Sequence, residues 1–377
     1  MIFWDSVDYT NCRKVLVIPN ITNSSSIEKD SFVDVIYNHI KGLEQYGDYF
    51  WHVLMPTNTL SRKLNLPNVK QHQIHIPGDM MNQRSFPSDK LVAILRDVEY
   101  DVIYSHLPDW PSVGRYKKSV DTKIIGYCHW WEMKSCNGVD NRVGKPKWLW
   151  LPIELLGVSQ MDTCYLNTQD QKNRVLAEAR ETFNDEFVSK LDNILKVWNL
   201  GLHKDNIVCD LKDSKENIIV FNHRAANYKG YPRFIKLMEE YRAKRQDFKV
   251  WVPQLLGVPP YGWIDNTKVP KHDYYKYLEH CKVGIQMRQT NYGWSVSGTD
   301  CMMRGTPMIW QESDCYSEID ADGMFFKYKK DLFSMLDRLF DDDKYRIDRD
   351  KMALERVAEL SKNESKMLGE LHKKLYG

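Results

Sequence analysis

Two positive charges stand five residues apart in Phe221-Asn222-His223-Arg224-Ala225-Ala226-Asn227-Tyr228-Lys229-Gly230. The apolar run Ile218-Ile219-Val220 precedes them, and the helical pattern Phe234, Ile235, Leu237, Met238 and Tyr241 follows. A strand, a short loop and a helix start would gather fixed positive charge and free backbone N–H groups at one spot. A phosphorylated ligand requires that combination. A second row runs from Asn291-Tyr292-Gly293-Trp294 to Gly305-Thr306-Pro307-Met308-Ile309-Trp310. It reads as a glycine-containing loop, a helix capped by Ser297 or Thr299, a glycine stop and a strand, with the carboxylate of Asp300 inside the helix. A third stretch, 129–150, interleaves His129, Trp130, Trp131, Glu132, Lys134, Arg142, Lys145, Lys147, Trp148 and Trp150. A groove that grips a polyanion and stacks on its bases uses that mixture. An ordinary loop with exposed lysines above packed tryptophans has the same composition.

The elements that must position these residues alternate along the chain. Strand candidates lie at 14–19, 50–55, 73–76, 102–105, 123–128 and 164–167, with helical spacing through Val33 to Leu43, over 88–98 and over 170–195. The polar, aperiodic tract 202–216 interrupts the pattern, which then resumes with strands at 217–222, 249–253, 283–287 and 308–310. Short apolar runs alternating with helices predict βαβ units and parallel sheets, whose ligands collect at the carboxyl ends of the strands. Two strand ends in the first half carry Ser105-His106 and Cys128-His129. A helix near 330–340 and a terminal helix over about 348–375 complete the chain.

Length and composition set the frame. A chain of 377 residues exceeds one ordinary core, so two domains are expected. Hydrophobic residues at 42% and charged residues at 28% fit a globular protein, and a net charge of +2 excludes a global field that would draw the chain onto nucleic acid. Twelve Trp and 21 Tyr favour flat-faced ligands. The eight cysteines are scattered without a CxxC pair, as in reduced thiols. No basic-then-apolar leader opens the chain and no apolar run reaches membrane-spanning length, so the expectation is a soluble, cytoplasmic monomer without integral membrane contact. His72 and His75 have no third ligand at metal-site spacing.

On these motifs the second half resembles the nucleotide-sugar-binding domain of GT-B glycosyltransferases, particularly the large retaining family 4. Arg224 and Lys229-Gly230 match that family's Arg and Lys-Gly in spacing. Asp300 falls on the second Glu of its acidic motif, ahead of Cys301 to Ile309. The resemblance implies an α/β chain of two Rossmann-like domains facing a cleft, with the C-terminal helix crossing back to the first domain. The implied boundaries are 1–205 for an acceptor domain, 206–347 for the donor domain and 348–377 for the returning helix. It implies that Arg224 and Lys229 hold the donor diphosphate, that Asp300 accepts the two ribose hydroxyls, and that the amides of Trp294, Ser295 and Val296 contact phosphate and sugar. The implied chemistry needs no metal and no tightly bound cofactor, only a nucleoside-diphosphate sugar such as a UDP-sugar. Tyr292 departs from the family, which has Glu there, so retention of configuration is an expectation only. Asp320-Ala321-Asp322 resembles a metal-binding DxD pattern, but lies in a loop that the GT-B resemblance already explains.

The same motifs resemble the T-even phage DNA glucosyltransferases of the α-linking type. Tyr127-Cys128-His129-Trp130 matches the Tyr and His of their Tyr-x-His-Asp motif, with Glu132 as a substitute carboxylate. This implies His129 and Glu132 as catalytic residues and 5-hydroxymethylcytosine in double-stranded phage-type DNA as acceptor, within a host cytoplasm. Trp130, Trp131, Lys134, Arg142, Lys145 and Lys147 would bind it. Two other readings stay open: transfer to a cell-surface polysaccharide or lipid-linked glycan, and a regulatory protein that binds a nucleotide sugar without turnover.

Overall fold

The computed structural model describes residues 11–20, 27, 31–56, 59–75, 88–108, 121–128, 147–199, 207, 208, 210–289 and 293–376. The chain divides into two compact units, Met1–Gly201 with Glu364–Gly377, and Leu202–Asn363.

In the first unit the strands are Arg13–Ile18 (β1), Tyr49–Pro56 (β2), Val69–Ile74 (β3), Val102–Ser105 (β4), Lys123–Tyr127 (β5), Thr163–Leu166 (β6) and Leu195–Val197 (β7). They form one sheet in the order β3-β2-β1-β4-β5-β6-β7, and every pairing is parallel. All of β2 and β4 is buried, the signature of strands covered on both faces. The helices are Ser31–Leu43 (α1), Ser88–Asp97 (α2), Lys147–Val158 (α3), Gln169–Thr182 (α4) and Asp185–Ile194 (α5). Helix α3 has no counterpart in the sequence reading, because Trp148 to Leu151 is evenly apolar and Pro152 sits inside the helix. The stretch read as helical over 170–195 is two helices. Thr168 caps α4 by accepting from the Gln171 amide, and Asn184 caps α5 by accepting from Phe187.

The second unit repeats the plan. Glu216–Val220 (β8), Lys249–Trp251 (β9), Ile264–Asp265 (β10), Cys281–Gln286 (β11), Met308–Gln311 (β12) and Met324–Phe326 (β13) make a parallel sheet ordered β10-β9-β8-β11-β12-β13. Its helices are Tyr231–Arg242 (α6), Lys271–His280 (α7), Val296–Met303 (α8), Asp314–Ile319 (α9) and Lys329–Asp341 (α10). Helix α6 buries Phe234, Leu237, Met238 and Tyr241, one face at helical spacing. Phe221, Phe248, Phe333 and Phe340 join them in the core. In each sheet the strand order reverses beside the first strand, between β1 and β4 and between β8 and β11. Doubly wound folds bind ligands at the carboxyl ends beside that reversal.

The terminal helix, Asp343–Tyr376 (α11), starts in the second unit, and its residues from Glu364 onward belong to the first. Asp342 ends α10, and α11 begins at the next residue. In the first unit Tyr49 shares a 2.7 Å hydrogen bond with His372 Nδ1, and a Cβ on Gly42 would lie 2.4 Å from Leu368. Glu364, only 8% exposed, accepts a 2.6 Å hydrogen bond from the Trp198 indole. Its other oxygen lies 3.8 Å from His39 Nε2, and His39 Nδ1 meets the Tyr104 hydroxyl at 2.9 Å. His39 stacks on Trp198 at 4.7 Å, and His106 stands edge-on to Tyr104 at 4.8 Å. His106, noted in the sequence as a strand end, is therefore a wall of this buried cluster. No helix among the described residues is long and apolar enough to cross a membrane.

Burial pushes the Glu364 carboxyl up to about 7 from 4.5, against the lowering effect of Trp198. Between those values the folded chain keeps a proton that the unfolded chain has released, so stability falls as pH rises through the window, by on the order of 3 kcal/mol. Burial brings His39 down to about 3, which acts with the opposite sign in acid. Comparison with Glu364→Gln isolates the carboxyl, because Gln still accepts from Trp198. Urea unfolding across a pH series should show the wild type losing stability relative to Glu364→Gln as pH rises from about 4.5 to about 7, with no further relative loss above that. Parallel curves for the two proteins would contradict this.

Candidate functional site

Strand β8 ends at Val220, and the next three side chains, Phe221, Asn222 and His223, remain buried. Arg224 then turns out to solvent. Its carbonyl accepts from the Ala226 amide at 2.8 Å, and Asn227–Lys229 forms one 3-10 turn. Gly230 ends the turn at φ 75° and directly precedes α6, which has a proline in its first turn. A Cβ at Gly230 would lie 2.6 Å from the Met287 Cβ, so both the left-handed backbone and the close approach require glycine. This backbone path brings Lys229 back over the end of β11.

There Lys229 Nζ donates to Gln289 Oε1 at 2.5 Å and lies 5.3 Å from the Tyr228 ring centre. Burial, and then the Arg224 charge beside it, bring the Lys229 ammonium down to about 8. Its hydrogen-bond partner is a neutral amide, so among the described residues the charge is not spent on a carboxylate. A half-buried ammonium with an exposed guanidinium repelling it favours an anion from outside.

The second row meets the first at Gln286, the last residue of β11, which is fully buried. His223 Nε2 bonds to Gln286 Oε1, and Ser295 Oγ donates to the same oxygen at 2.6 Å. Gln286 Nε2 donates to the Met287 carbonyl at 2.8 Å and to the Tyr316 hydroxyl at 3.1 Å. Burial, with Lys229 nearby, brings His223 down to about 3, so it is neutral. Ser295 caps α8, accepting from the Gly298 amide at 3.1 Å. The sequence reading had put the cap at Ser297 or Thr299. Thr299 instead folds its hydroxyl back onto the Val296 carbonyl at 3.0 Å, and Gln286 fixes Ser295 as the cap. Gly298 lets α8 lie against Trp310, because a Cβ there would come 2.4 Å from the indole.

Asp300 sits one turn into α8, half-buried, and accepts from the Tyr274 hydroxyl at 3.3 Å. Asn222 donates to that hydroxyl and to the Ser297 carbonyl, both at 2.7 Å. Trp294 and Ser295 are buried and Val296 is half-buried at the helix start. The structure thus brings Arg224, Lys229, Trp294, Ser295, Val296 and Asp300 to the carboxyl edge of one sheet, beside the β8–β11 reversal. His223, Asn222, Tyr274, Gln286 and Gln289 join them without having been singled out. The one available signal was Gln286, a polar residue closing the apolar run Val283-Gly284-Ile285.

His129, Trp130, Trp131, Glu132, Lys134, Arg142, Lys145 and Tyr292 lie outside the described residues. Lys147 begins α3, and its side chain is outside them too. Asp320, half of the DxD pattern, is buried and accepts a 2.8 Å hydrogen bond from the Trp310 indole. Among the described residues no three His, Cys, Asp or Glu side chains gather as metal ligands would.

No protein-family model matches the chain, and no curated protein matches it. Solved structures do. Sucrose-phosphate synthase from Thermosynechococcus elongatus has a TM-score of 0.72 at 14% identity, over 97% of this chain and 99% of its own. Trehalose-6-phosphate synthase has a TM-score of 0.66 at 13% identity, over 97% and 99%. Anabaena HepE in complex with UDP and glucose has a TM-score of 0.66 at 10% identity, over 95% and 100%. Likeness at such low identity shows the fold. The chain has the GT-B architecture, two parallel-sheet α/β units with a terminal helix that returns to the first.

Proposed function

We propose that this protein is a GT-B glycosyltransferase whose second unit binds a nucleoside-diphosphate sugar. The observation that carries the reading is the pairing of Lys229 with Arg224 at the β8 end, tied through Gln286 to the start of α8. Cations and helix amides then converge on one anion at a sheet reversal. Anabaena HepE was solved with UDP and glucose, which favours a UDP-sugar here.

In the reaction an acceptor hydroxyl attacks the anomeric carbon, its proton leaves, and the bond from that carbon to the diphosphate oxygen breaks. Negative charge grows on the departing diphosphate, and Lys229 and Arg224 neutralise it where water is partly excluded. Asp300, half-buried one turn into α8 beside the Tyr274 hydroxyl, accepts from the ribose hydroxyls, a role that suits an acceptor-only carboxylate. For the acceptor the sequence reading stands as the proposal. The basic aromatic stretch 129–150 takes hydroxymethylated DNA, with His129 or Glu132 receiving the hydroxyl proton.

Arg224→Ala and Lys229→Ala should each lower kcat/KM by about 100-fold or more, the scale for losing one charge-stabilising group, with an unchanged melting curve. Near-normal transfer by both would overturn the donor assignment, and donor binding without any turnover in the wild type would leave a binding protein. Lys229 acts when charged, so donor affinity should hold below about pH 8 and fall as pH rises through it. Lys229→Arg should move that fall to higher pH, and an unchanged profile would remove Lys229 from the site. Mass spectrometry of nucleosides from hydroxymethylcytosine DNA, incubated with a panel of nucleotide sugars, tests the acceptor. A glycosylated nucleoside supports DNA, and transfer only to free sugars or sugar phosphates contradicts it.

A further inference from the structure

We infer that Gln286 is a positioning residue that sets the cation loop and the α8 amides against the same diphosphate. The inference rests on the donor-site reading and names a residue that the donor motifs do not contain.

The direction of every hydrogen bond around Gln286 is fixed. The Met287 carbonyl can only accept, so the amide nitrogen of Gln286 faces it at 2.8 Å. The amide oxygen therefore faces the other way, toward His223 Nε2 and Ser295 Oγ, and both of these must donate. His223 is neutral, so its single ring proton lies on Nε2. Ser295 gives its hydroxyl proton to Gln286 and keeps its lone pairs for the Gly298 amide at 3.1 Å. One buried oxygen thus holds two segments. His223 immediately precedes Arg224 in the loop that ends in Lys229. Ser295 orients the first turn of α8.

An apolar residue at the end of β11 would fill the same space without joining the segments. A buried amide with two inward donors is costly unless all its bonds are made. Its presence at the point where two halves of an anion site meet is explained by the register it imposes. Loss of the oxygen frees His223 and Ser295 separately, and the cations and amides no longer converge. The part of a nucleotide that feels this is the diphosphate, while the nucleoside, lying against Asp300 and its neighbours, does not.

The test titrates UDP and uridine into the wild type, Gln286→Leu and His223→Phe, with melting curves as a check on folding. The wild type should prefer UDP strongly. Each variant should weaken UDP by about tenfold or more, the scale of one or two lost hydrogen bonds, and leave uridine within about twofold. An unchanged UDP-to-uridine ratio in a folded variant, or equal weakening of both ligands, would overturn the positioning role. If Gln286→Leu does not fold, His223→Phe decides alone, because it retains the Gln286 to Ser295 bond. A wild type with no preference for UDP over uridine would overturn the donor site itself, and this inference with it.

Discussion

Lys229 holds a positive charge half out of water with a neutral amide for its hydrogen-bond partner, and the second unit is shaped around that arrangement. Desolvation of an ammonium is unfavourable by itself, as its lowered proton affinity records. The charge stays in place because the backbone leaves it nowhere else. Gly230 turns left-handed against Met287, α6 locks the loop through Phe234 and Met238, and Gln289 receives the Nζ. A site that is slightly unfavourable when empty becomes favourable when an anion arrives.

The two units use one topology in opposite ways. Both sheets reverse order beside their first strand. In the second unit that place carries cations, a helix start and a carboxylate. In the first, among the described residues, rings gather there: His106 follows β4, His39 stands beside it, and Trp198 stacks on His39. Glu364 of the returning helix completes that cluster, so the helix is pinned by a buried carboxyl as well as by apolar contact. The same edge of a parallel sheet thus carries a charged cluster in one unit and, in the other, a ring cluster that receives a helix, according to the residues that follow the strands.

The parallel class and most strands were legible because strands covered on both faces leave continuous apolar runs. Strand order was not, since nothing local says that β8 lies beside β11. That neighbour relation is what brings His223 to Gln286, so the Gln286 junction was invisible even though Gln286 stood out as polar. The α8 cap failed for a related reason. Ser295, Ser297 and Thr299 are equal candidates by local chemistry, and a tertiary partner chose among them. Helix α3 lacked a readable period because Trp148-Leu149-Trp150-Leu151 is an unbroken apolar run ahead of Pro152. Arg224 and Lys229 could be placed after a strand because Ile218-Ile219-Val220 is a plain apolar run, whereas Asp300 was singled out by the family resemblance.

The central claim is that one edge of the second unit holds a nucleoside-diphosphate sugar. Amide hydrogen exchange with and without UDP-glucose tests it most directly. The account predicts slowed exchange at residues 224–230 and at the start of α8, with little change in the core of the first unit. Protection confined to the first unit, or none at saturating UDP-glucose, would contradict it.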